Sequence, residues 1–544
     1  MPSTQLVWFK RDLRLLDHRP LTTAAAAGPV LALYVYEPEL LASPEWDSSH
    51  SRFIDQCLAQ LEAGITVRGG LLLYRVGRMP DVLDRLFAEH PFCALHSHRE
   101  TGNALTYQRD LRVAQWCRQH RIHWCQTPQD GVIRRLRSRT GWARRWQQRM
   151  DEPIATPPDR IQPPPDPPPC EHRRTLAELG LPETRKTTQP GGSSHAADLL
   201  ASFLNHRGET YRTGMSSPVH AFDACSRLSP HLAWGSISMR QVHQATVRRI
   251  SDLRLSQLSG SQVNGRWFGS LASFAGRLRW HCHFMQKLED EPRIEFENMA
   301  RACDGLREDH FSQSRFDSWA HGQTGYPMVD ACMRALLAGS WINFRMRAML
   351  VSFASHHLWL HWRPTAVYLA RHFLDFEPGI HFSQFQMQSA TTGINTVRIY
   401  SPARQVLDHD PTGRFIRPWV PELHAVPDEH LAEPWKMPLH IQHACGCIIG
   451  KHYPAPIVEH AQAVQLAKQR IYAIRSTPSA RSEADSIQQK HGSRRSGIAH
   501  RGQRTATPSP TGPRKRSAPR APTGPLLFDG LDDLPATLHP RPAT

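Results

Sequence analysis

The sequence lacks long apolar runs and lacks an ordered cysteine pattern. No stretch reaches the roughly 18 consecutive apolar residues of a transmembrane helix, and the opening MPSTQLVWFKRD has no basic segment followed by an apolar one. The 11 cysteines are odd in number and scattered, which fits reduced thiols better than a disulfide framework. We therefore expect a cytoplasmic protein without a membrane segment.

Metal-ligand spacing is also lacking. Cys445 and Cys447 are separated by one residue, not by the two of common zinc sites, and no matching His or Cys pair follows. In the run Trp280-His281-Cys282-His283, consecutive helical positions point in different directions and cannot share one ion. We expect free thiols and no metal.

Acidic residues are few for a chain of 544 residues. It carries 66 Lys and Arg against 49 Asp and Glu, a formal net charge of +17, and most of that excess lies before residue 476. A basic folded body favours a polyanionic partner, with nucleic acid as the first candidate. The alternative is a solvated Arg-rich surface.

The first 130 residues alternate short β-rich runs with helical stretches. Strands are predicted at Leu6–Phe9, Val30–Tyr36, Leu71–Val76, Cys93–His96 and Ile122–Cys125. Helices are predicted at Ser51–Glu62, Pro80–Glu89 and Ala104–His120. This alternation predicts an α/β domain over residues 1–135, with a doubly wound parallel sheet. No Gly-x-Gly-x-x-Gly follows the first strand, so an ordinary dinucleotide site is not predicted there.

The rest of the chain divides by composition. Residues 136–195 form a Pro-rich connector, and its part from 153 to 192 cannot be regular helix or sheet. Residues 196–475 predict a large all-α domain. Residues 476–544 are rich in Ser, Pro and Arg and predict a basic disordered tail. Its Arg514–Arg516 cluster suggests a polyanion tether, and Leu526–Phe528 either docks on a protein partner or is a solvated fragment.

Two features of the helical half suggest chemistry. The stretch Ser226-Arg227-Leu228-Ser229-Pro230 places hydroxyls at a predicted helix start, where free N–H groups suit a phosphate or merely cap the helix. The charged pairs Arg345/Arg347 and Asp375/Glu377 lie in apolar surroundings, so they hold a ligand or form a buried ion pair that joins two helices.

Several motifs, in order, resemble the photolyase/cryptochrome superfamily. The stretch Trp8-Phe9-Lys10-Arg11-Asp12-Leu13-Arg14 of this chain resembles the opening of that family's sequences. The stretch 322–334, GQTGYPMVDACMR, matches the family's most distinctive motif. Segments 398–402 (RIYSP), 410–416 (DPTGRFI) and 419–423 (WVPEL) complete the order. The resemblance covers residues 5–475 apart from the connector. Repair enzymes and photoreceptors share these motifs, so the resemblance specifies the superfamily and not the activity.

The resemblance implies FAD in the helical domain and an antenna chromophore of unknown identity in the first domain. The residues that it assigns to the flavin phosphates and ribityl chain are Tyr211, Ser226, Leu228 and Ser229. It places the Arg347–Asp375 pair against the isoalloxazine ring and Glu377 near its far edge. His381 falls at the position that faces flavin N5, where it exchanges a proton near neutral pH or, alternatively, is a neutral ring making one hydrogen bond.

The implied lesion pocket departs from the family pattern. Trp280 keeps the stacking platform, but Arg277 stands where dimer repair enzymes carry Glu. Arg can donate hydrogen bonds to thymine carbonyls, so we expect Arg277 to read the lesion in a different way. Met387 replaces the second aromatic wall, and Phe344 replaces an Asn.

The implied electron route to the flavin is also altered. Of the family's three tryptophans, Trp362 matches the middle one, whereas Phe311 and Phe385 occupy the outer and inner positions. Phe is much harder to oxidise than Trp, so this route is expected to fail. Trp341, Trp359, Tyr368 and Tyr400 are candidates for another path.

We therefore predict a monomeric flavoprotein that binds UV-damaged DNA and splits cyclobutane pyrimidine dimers, using light and reduced FAD as an electron donor. The basic folded body and Trp280 favour repair. The alternative is a cryptochrome-like photoreceptor that signals through the 476–544 tail, which the altered lesion pocket favours.

Overall fold

The computed structural model describes residues 4–492. Its first domain is built on a five-stranded parallel sheet in the order β3-β2-β1-β4-β5. The strands are β1 Gln5–Phe9, β2 Val30–Tyr36, β3 Leu72–Val76, β4 Ala94–His98 and β5 His123–Thr127. The helices are α1 Arg19–Ala27, α2 Pro38–Leu41, α3 Ser48–Val67, α4 Met79–Glu89 and α5 Ala104–Gln119. The predicted doubly wound α/β fold is confirmed, with every predicted strand present to within a few residues.

The chain order produces this sheet because each crossover carries a helix to one of its faces. In the register, Val7 of β1 lies beside Ala32 of β2 and His96 of β4. The direction of winding reverses between β1 and β4. Their carboxyl ends therefore form the crevice where open α/β sheets bind ligands.

The connector and the second domain are helical. The connector contains α6 Trp142–Asp151, and residues 152–192 contain neither helix nor strand, as predicted. The second domain contains α7 Ser193–Asn205, α8 Tyr211–Gly214, α9 Ala221–Ala224, α10 Ser229–Ala233, α11 Met239–Leu258, α12 Arg266–Asp290, α13 Gln313–Ala320, α14 Pro327–Gly339, α15 Phe344–Ser352, α16 Trp362–His372, α17 Pro378–Gln388, α18 Pro402–His409, α19 Ile416–Trp419, α20 Asp428–Leu431, α21 Leu439–Ala444 and α22 His460–Arg475. The predicted all-α domain is confirmed.

The predicted disorder from residue 476 is wrong for the start of the tail, where α23 spans Pro478–His491. This helix is held by the His491 ring, which is buried 2.6 Å from the Glu291 carboxylate, and by Ile487, which packs into a small apolar cluster. The prediction of disorder was made from the Ser-rich composition, which carries no information on such tertiary contacts. The Arg514–Arg516 and Leu526–Phe528 segments lie outside the described residues.

The two domains meet through backbone contacts at the end of β1. The Leu13 N–H donates to the Trp234 carbonyl, and the Arg14 guanidinium donates to the Gly235 carbonyl. Gly235 has φ 73°, and a Cβ there would lie 2.2 Å from the Arg11 carbonyl oxygen. Only glycine fits this close approach.

Beside this interface Asp12 accepts hydrogen bonds from His18 Nε2 at 3.0 Å and His98 Nδ1 at 2.8 Å. The three side chains are grouped closely enough for a metal. However, His18 Nδ1 already accepts the Leu21 N–H, so its Nε2 must carry the proton that it shares with Asp12. The group is therefore a buried hydrogen-bond network.

All 11 cysteines are free thiols. No helix within residues 4–492 is both long and apolar enough to cross a membrane.

Candidate functional site

A cleft of about 1180 Å³ opens in the helical domain. Its wall carries four arginines and two carboxylates, which are Arg227, Arg277, Arg345, Arg347, Asp375 and Glu377. Tyr211, Ser226 and Ser229 also line it, so most residues assigned to the cofactor from the sequence meet at one place. Leu228 is buried behind this wall.

Arg347 and Asp375 form a bidentate ion pair in the cleft. Both nitrogen–oxygen distances are 2.9 Å. Burial alone would raise the pKa of the Asp375 carboxyl, but the charge and hydrogen bonds of Arg347 outweigh it and lower that pKa. Ser229 also hydrogen-bonds Asp375, so the pair is fixed to the start of α10.

Two other arginines present unused donors. Arg227 Nη1 and Arg345 Nε are buried and have no hydrogen-bond acceptor within residues 4–492. Arg227 adopts φ 63°, and its guanidinium lies 3.8 Å from the centre of the Trp341 ring. Burial lowers the pKa of Arg227 to about 10. Buried guanidinium donors without an acceptor fit a phosphate-bearing ligand such as FAD.

Glu377 lies on the wall that the cleft shares with a second cavity at the domain interface. Its carboxylate is 3.6 Å from the Arg11 guanidinium. Burial raises the pKa of Glu377 to about 7 although Arg11 opposes the shift. His281 lines the same two cavities, and burial lowers its pKa to about 4.

His381 lines a smaller cavity of about 540 Å³ that shares Arg347, Asp375 and Glu377 with the cleft. Its Nε2 lies 2.8 Å from the Ala366 carbonyl oxygen, which can only accept, so Nε2 carries the proton. Burial lowers the pKa of His381 to about 4. At neutral pH the ring is therefore neutral, with Nδ1 as a hydrogen-bond acceptor, which favours the second of the two sequence-based alternatives.

Arg277 lies on the cleft wall, where it hydrogen-bonds the buried Tyr211 hydroxyl. Burial raises the pKa of Tyr211 to about 12 against the opposing charge of Arg277. The sequence alone assigned these two residues to different functions, Tyr211 to the cofactor and Arg277 to the lesion. The structure brings them together.

Trp280 and Met387 are both partly exposed, and neither belongs to the residues that line the cleft. Trp280 contacts the rings of His283 at 4.9 Å and Phe284 at 5.5 Å. It lies on α12 one turn beyond Arg277, whereas Met387 is in the last turn of α17. Their roles as lesion walls remain a prediction.

The tryptophans proposed for electron transfer have different surroundings. Trp362 is fully buried and donates to Asn298 Oδ1 at 2.8 Å. Trp359 has φ 57°, and the guanidiniums of Arg307 and Arg470 lie 4.4 and 4.8 Å from the centre of its ring. Trp341 lines the cleft against Arg227. A nearby cation makes oxidation of an indole harder, which counts against the predicted relay roles of Trp359 and Trp341.

Comparison with known families agrees with this geometry. Residues 5–158 match the family model described as DNA photolyase, and residues 274–473 match the FAD binding domain of DNA photolyase. The second match contains Arg277, Arg347, Asp375, Glu377 and His381. The chain belongs to the photolyase/cryptochrome superfamily. The chain is therefore a flavoprotein of this superfamily, and much of the cleft is formed by residues within the FAD-domain match.

The chain is also similar in sequence and in fold to individual members of the superfamily. The chain is 27% identical to a deoxyribodipyrimidine photo-lyase of Alkalihalophilus pseudofirmus, over 85% of this chain and 96% of the relative. It is also 27% identical to a cryptochrome DASH of Gloeobacter violaceus, over 86% and 96%. A bacterial class III photolyase structure from Agrobacterium tumefaciens has the same fold, with a TM-score of 0.75, 24% identity and coverage of 88% and 98%. The chain is thus as similar in sequence to this photolyase as to this cryptochrome.

Sequence reasoning missed Arg11 and His281 as site residues. Arg11 is in the opening motif, directly after β1, but its contact with Glu377 depends on the packing of the two domains. His281 was considered only as a metal ligand. The available signal was its place one turn beyond Arg277 on α12, which puts both side chains on one face.

A fourth cavity, of about 690 Å³, lies at the carboxyl ends of β1 and β2 and beside Glu100, which follows β4, and residues of the second domain close it. Trp8, Tyr34 and Trp46 contribute aromatic walls, and Lys10 and Arg109 contribute charges. This is the ligand crevice that the sheet topology predicts.

Proposed function

We propose that this protein is a light-driven DNA repair enzyme that splits cyclobutane pyrimidine dimers, with UV-damaged DNA as its substrate. The observation that carries the proposal is the charge of the cleft. Four arginines face two carboxylates, and Arg347 is already matched by Asp375. The two phosphates of FAD would take up part of the remaining positive charge, which leaves cationic donors for a second, oxygen-rich ligand.

Bound FAD in its reduced form would supply an electron to the dimer after absorbing light. The protein contributes binding and positioning. Arg227 and Arg345 would bind the diphosphate, and Arg347–Asp375 would hold a fixed dipole beside the ring system. His381 would accept a hydrogen bond at Nδ1 from the cofactor, since its Nε2 proton is engaged by Ala366.

For the lesion, Trp280 would offer a partly exposed stacking surface at the rim of the cleft, with Met387 as a softer apolar contact. Arg277 would donate to pyrimidine carbonyls from inside the cleft. We place the antenna chromophore in the aromatic cavity at the edge of the sheet, where Trp8 and Tyr34 can stack on a planar group.

The test is repair of a thymine-dimer oligonucleotide by the purified protein with chemically reduced FAD, under blue or near-UV light. Chemical reduction bypasses the altered tryptophan route, so the assay isolates the lesion pocket. Dimer loss that depends on both light and flavin supports repair. The absence of dimer loss with FAD bound contradicts the proposal.

Photoreception is the second candidate, and the anchoring of α23 favours it. His491 and Lys490 both contact Glu291 at the end of α12, so the chain beyond residue 492 starts from the helix that carries Arg277. A change in protease sensitivity of residues 478–491 on illumination, in a protein without repair activity, would support this candidate.

A further inference from the structure

The segment before and within α6 is unusually basic. Residues 132–150, VIRRLRSRTGWARRWQQRM, contain seven arginines and no Asp or Glu. Such a run is often a solvated surface, so its function depends on how many of these charges the fold itself uses.

Three of the seven arginines serve the fold. Arg134 pairs with Glu289 at 3.0 Å, and Arg139 pairs with Asp290 at 3.0 Å. Arg149 donates to two backbone carbonyls at the end of the first domain. The two ion pairs fix the connector to α12, and the Arg149 hydrogen bonds fix α6 to the end of the first domain.

The other four arginines are exposed, and none has a carboxylate within ion-pair distance in the described part of the chain. We call Arg135, Arg137, Arg144 and Arg145 the connector patch. Arg145 donates to the carbonyl of Ser138, the residue that follows Arg137. The side chain of Arg145 therefore reaches the backbone next to Arg137. Arg144 is adjacent to Arg145 on α6. The patch thus carries four charges that the fold leaves unmatched.

The patch is mounted on a rigid support. Trp142, Trp146 and Met150 recur every four residues along α6, and all three are buried in one apolar cluster with α11 and α12. The Trp142 indole also donates to Gln286 at 3.1 Å. Because this face is anchored, the arginine face of α6 is held toward solvent.

The support of the patch also contacts residues next to Trp280, in the proposed lesion site. The His283 ring is 4.9 Å from Trp280 and 5.9 Å from Trp142, the first residue of α6. Arg139, between Arg137 and α6, approaches His283 at 3.3 Å. A series of contacts therefore joins Trp280 to the first residue of α6, the helix that carries Arg144 and Arg145.

We propose that the connector patch binds the phosphate backbone of duplex DNA next to the cleft. Exposed guanidiniums without carboxylate partners match a row of phosphates, which they contact without reading sequence. The choice of DNA as the polyanion rests on the proposed function. The patch would position the duplex, and the cleft would select the lesion.

The experiment uses the full chain with FAD bound. In the patch variant, Arg135, Arg137, Arg144 and Arg145 are all changed to Gln. The matched control removes four exposed arginines of the first domain, Arg78, Arg85, Arg112 and Arg118, also to Gln, so that both variants lose the same net charge. Flavin absorbance and circular dichroism confirm that both variants fold. Binding is measured with an undamaged and a dimer-containing duplex over a series of salt concentrations.

The expected result is weaker binding of both duplexes by the patch variant. The slope of log affinity against log salt should become shallower by about 2–4, roughly 0.9 for each phosphate that the variant no longer neutralises. The control should keep the wild-type slope. Equal losses of DNA affinity in both variants would indicate a general effect of the net charge and overturn the proposal. Wild-type affinity in the patch variant would also overturn it.

The two proposals fail in different ways. A wild-type protein that binds DNA through the patch but repairs no dimer refutes the repair function and leaves the patch supported. Normal repair with unchanged binding in the patch variant refutes the patch alone. A wild-type protein that binds no duplex refutes both.

Discussion

Arg347 and Asp375 face each other through two parallel hydrogen bonds, Nη1 to Oδ1 and Nη2 to Oδ2. Arg347 lies in the first turn of α15, and Asp375 lies just before α17. The pair therefore joins two helices at the wall that the cleft and the smaller cavity share. Arg347 also contacts the Phe373 ring at 4.1 Å, so its orientation is fixed on two sides.

Asp375→Ala should remove FAD from the protein and destabilise the fold. The change leaves the Arg347 charge without its partner, at a cost on the order of 3 kcal/mol in the free energy of unfolding. Asp375→Asn, which keeps an acceptor oxygen, should cost less. Flavin content after purification and denaturant unfolding measure both effects. Asp408→Ala is the control, because the exposed Asp408–Arg404 pair contributes less than about 1 kcal/mol. A normal, photoreducible flavin in Asp375→Ala would contradict the assignment.

Arg277→Ala should weaken dimer binding while FAD stays bound. Loss of charge-assisted hydrogen bonds to the pyrimidine carbonyls corresponds to about 1.5–3 kcal/mol, or roughly 10- to 150-fold in affinity. Affinities for damaged and undamaged duplex, with flavin content, are the measurements. Tyr211→Phe is the matched control, since it removes only the hydroxyl that Arg277 contacts. Unchanged affinity and repair would refute the lesion assignment, and loss of FAD would make Arg277 a cofactor residue.

Much of the fold was predictable because its periodicity is local. Alternating strands and helices specify the first domain, and the motifs specify the family and most of the residues that line the cleft. The short helix α1 was missed because small residues make up most of its buried face, in which Leu21 is the largest side chain. Helix α6 was hidden in the Pro-rich connector, although Trp142, Trp146 and Met150 follow a helical period.

The site was less predictable wherever it depends on contacts between distant segments. The sequence places Arg277 one turn before Trp280 but does not show that it reaches Tyr211. The protonation of His381 depends on the Ala366 carbonyl, 15 residues away. The raised pKa of Glu377 depends on burial at the domain interface. Such facts come from packing.

Phe311→Trp combined with Phe385→Trp should restore fast photoreduction of the flavin. Trp362, which is predicted to be the middle member of the route, is buried, and neighbouring guanidiniums disfavour oxidation of the alternatives Trp359 and Trp341. The wild-type protein should therefore photoreduce slowly in the presence of an external reductant. Phe385 borders the smaller cavity, which leaves room for part of an indole, and the remaining overpacking should cost about 1–3 kcal/mol.

The rate of flavin bleaching under blue light measures this effect. Adding Trp362→Phe to the double variant is the control, because it interrupts the restored route and should abolish the gain. Fast photoreduction by the wild-type protein, or a gain that survives the loss of Trp362, would show that electrons take another path.

The free energy of unfolding should fall as pH rises from mildly acidic to neutral, and Glu377→Gln should make this fall smaller. Burial raises the pKa of Glu377 from 4.5 to about 7 in the folded state. The folded protein then holds a proton that the unfolded chain releases. Its contribution is fully present below pH 4.5 and is lost as pH rises to about 7, by on the order of 1–3 kcal/mol. Gln keeps the shape and cannot ionise, so the variant should show a flatter dependence of unfolding free energy on pH.

Glu295, whose pKa burial also raises to about 7, contributes in the same window, so the slope should fall without disappearing. Glu429→Gln, at an exposed carboxylate, is the control and should leave the slope unchanged. Unfolding is followed in denaturant at pH 5, 6, 7 and 8. Identical slopes for Glu377→Gln and the wild-type protein would mean that Glu377 is ionised in the folded state throughout. Arg11, 3.6 Å away, would then compensate its charge fully, and the carboxylate would be present as a fixed negative charge beside the flavin site.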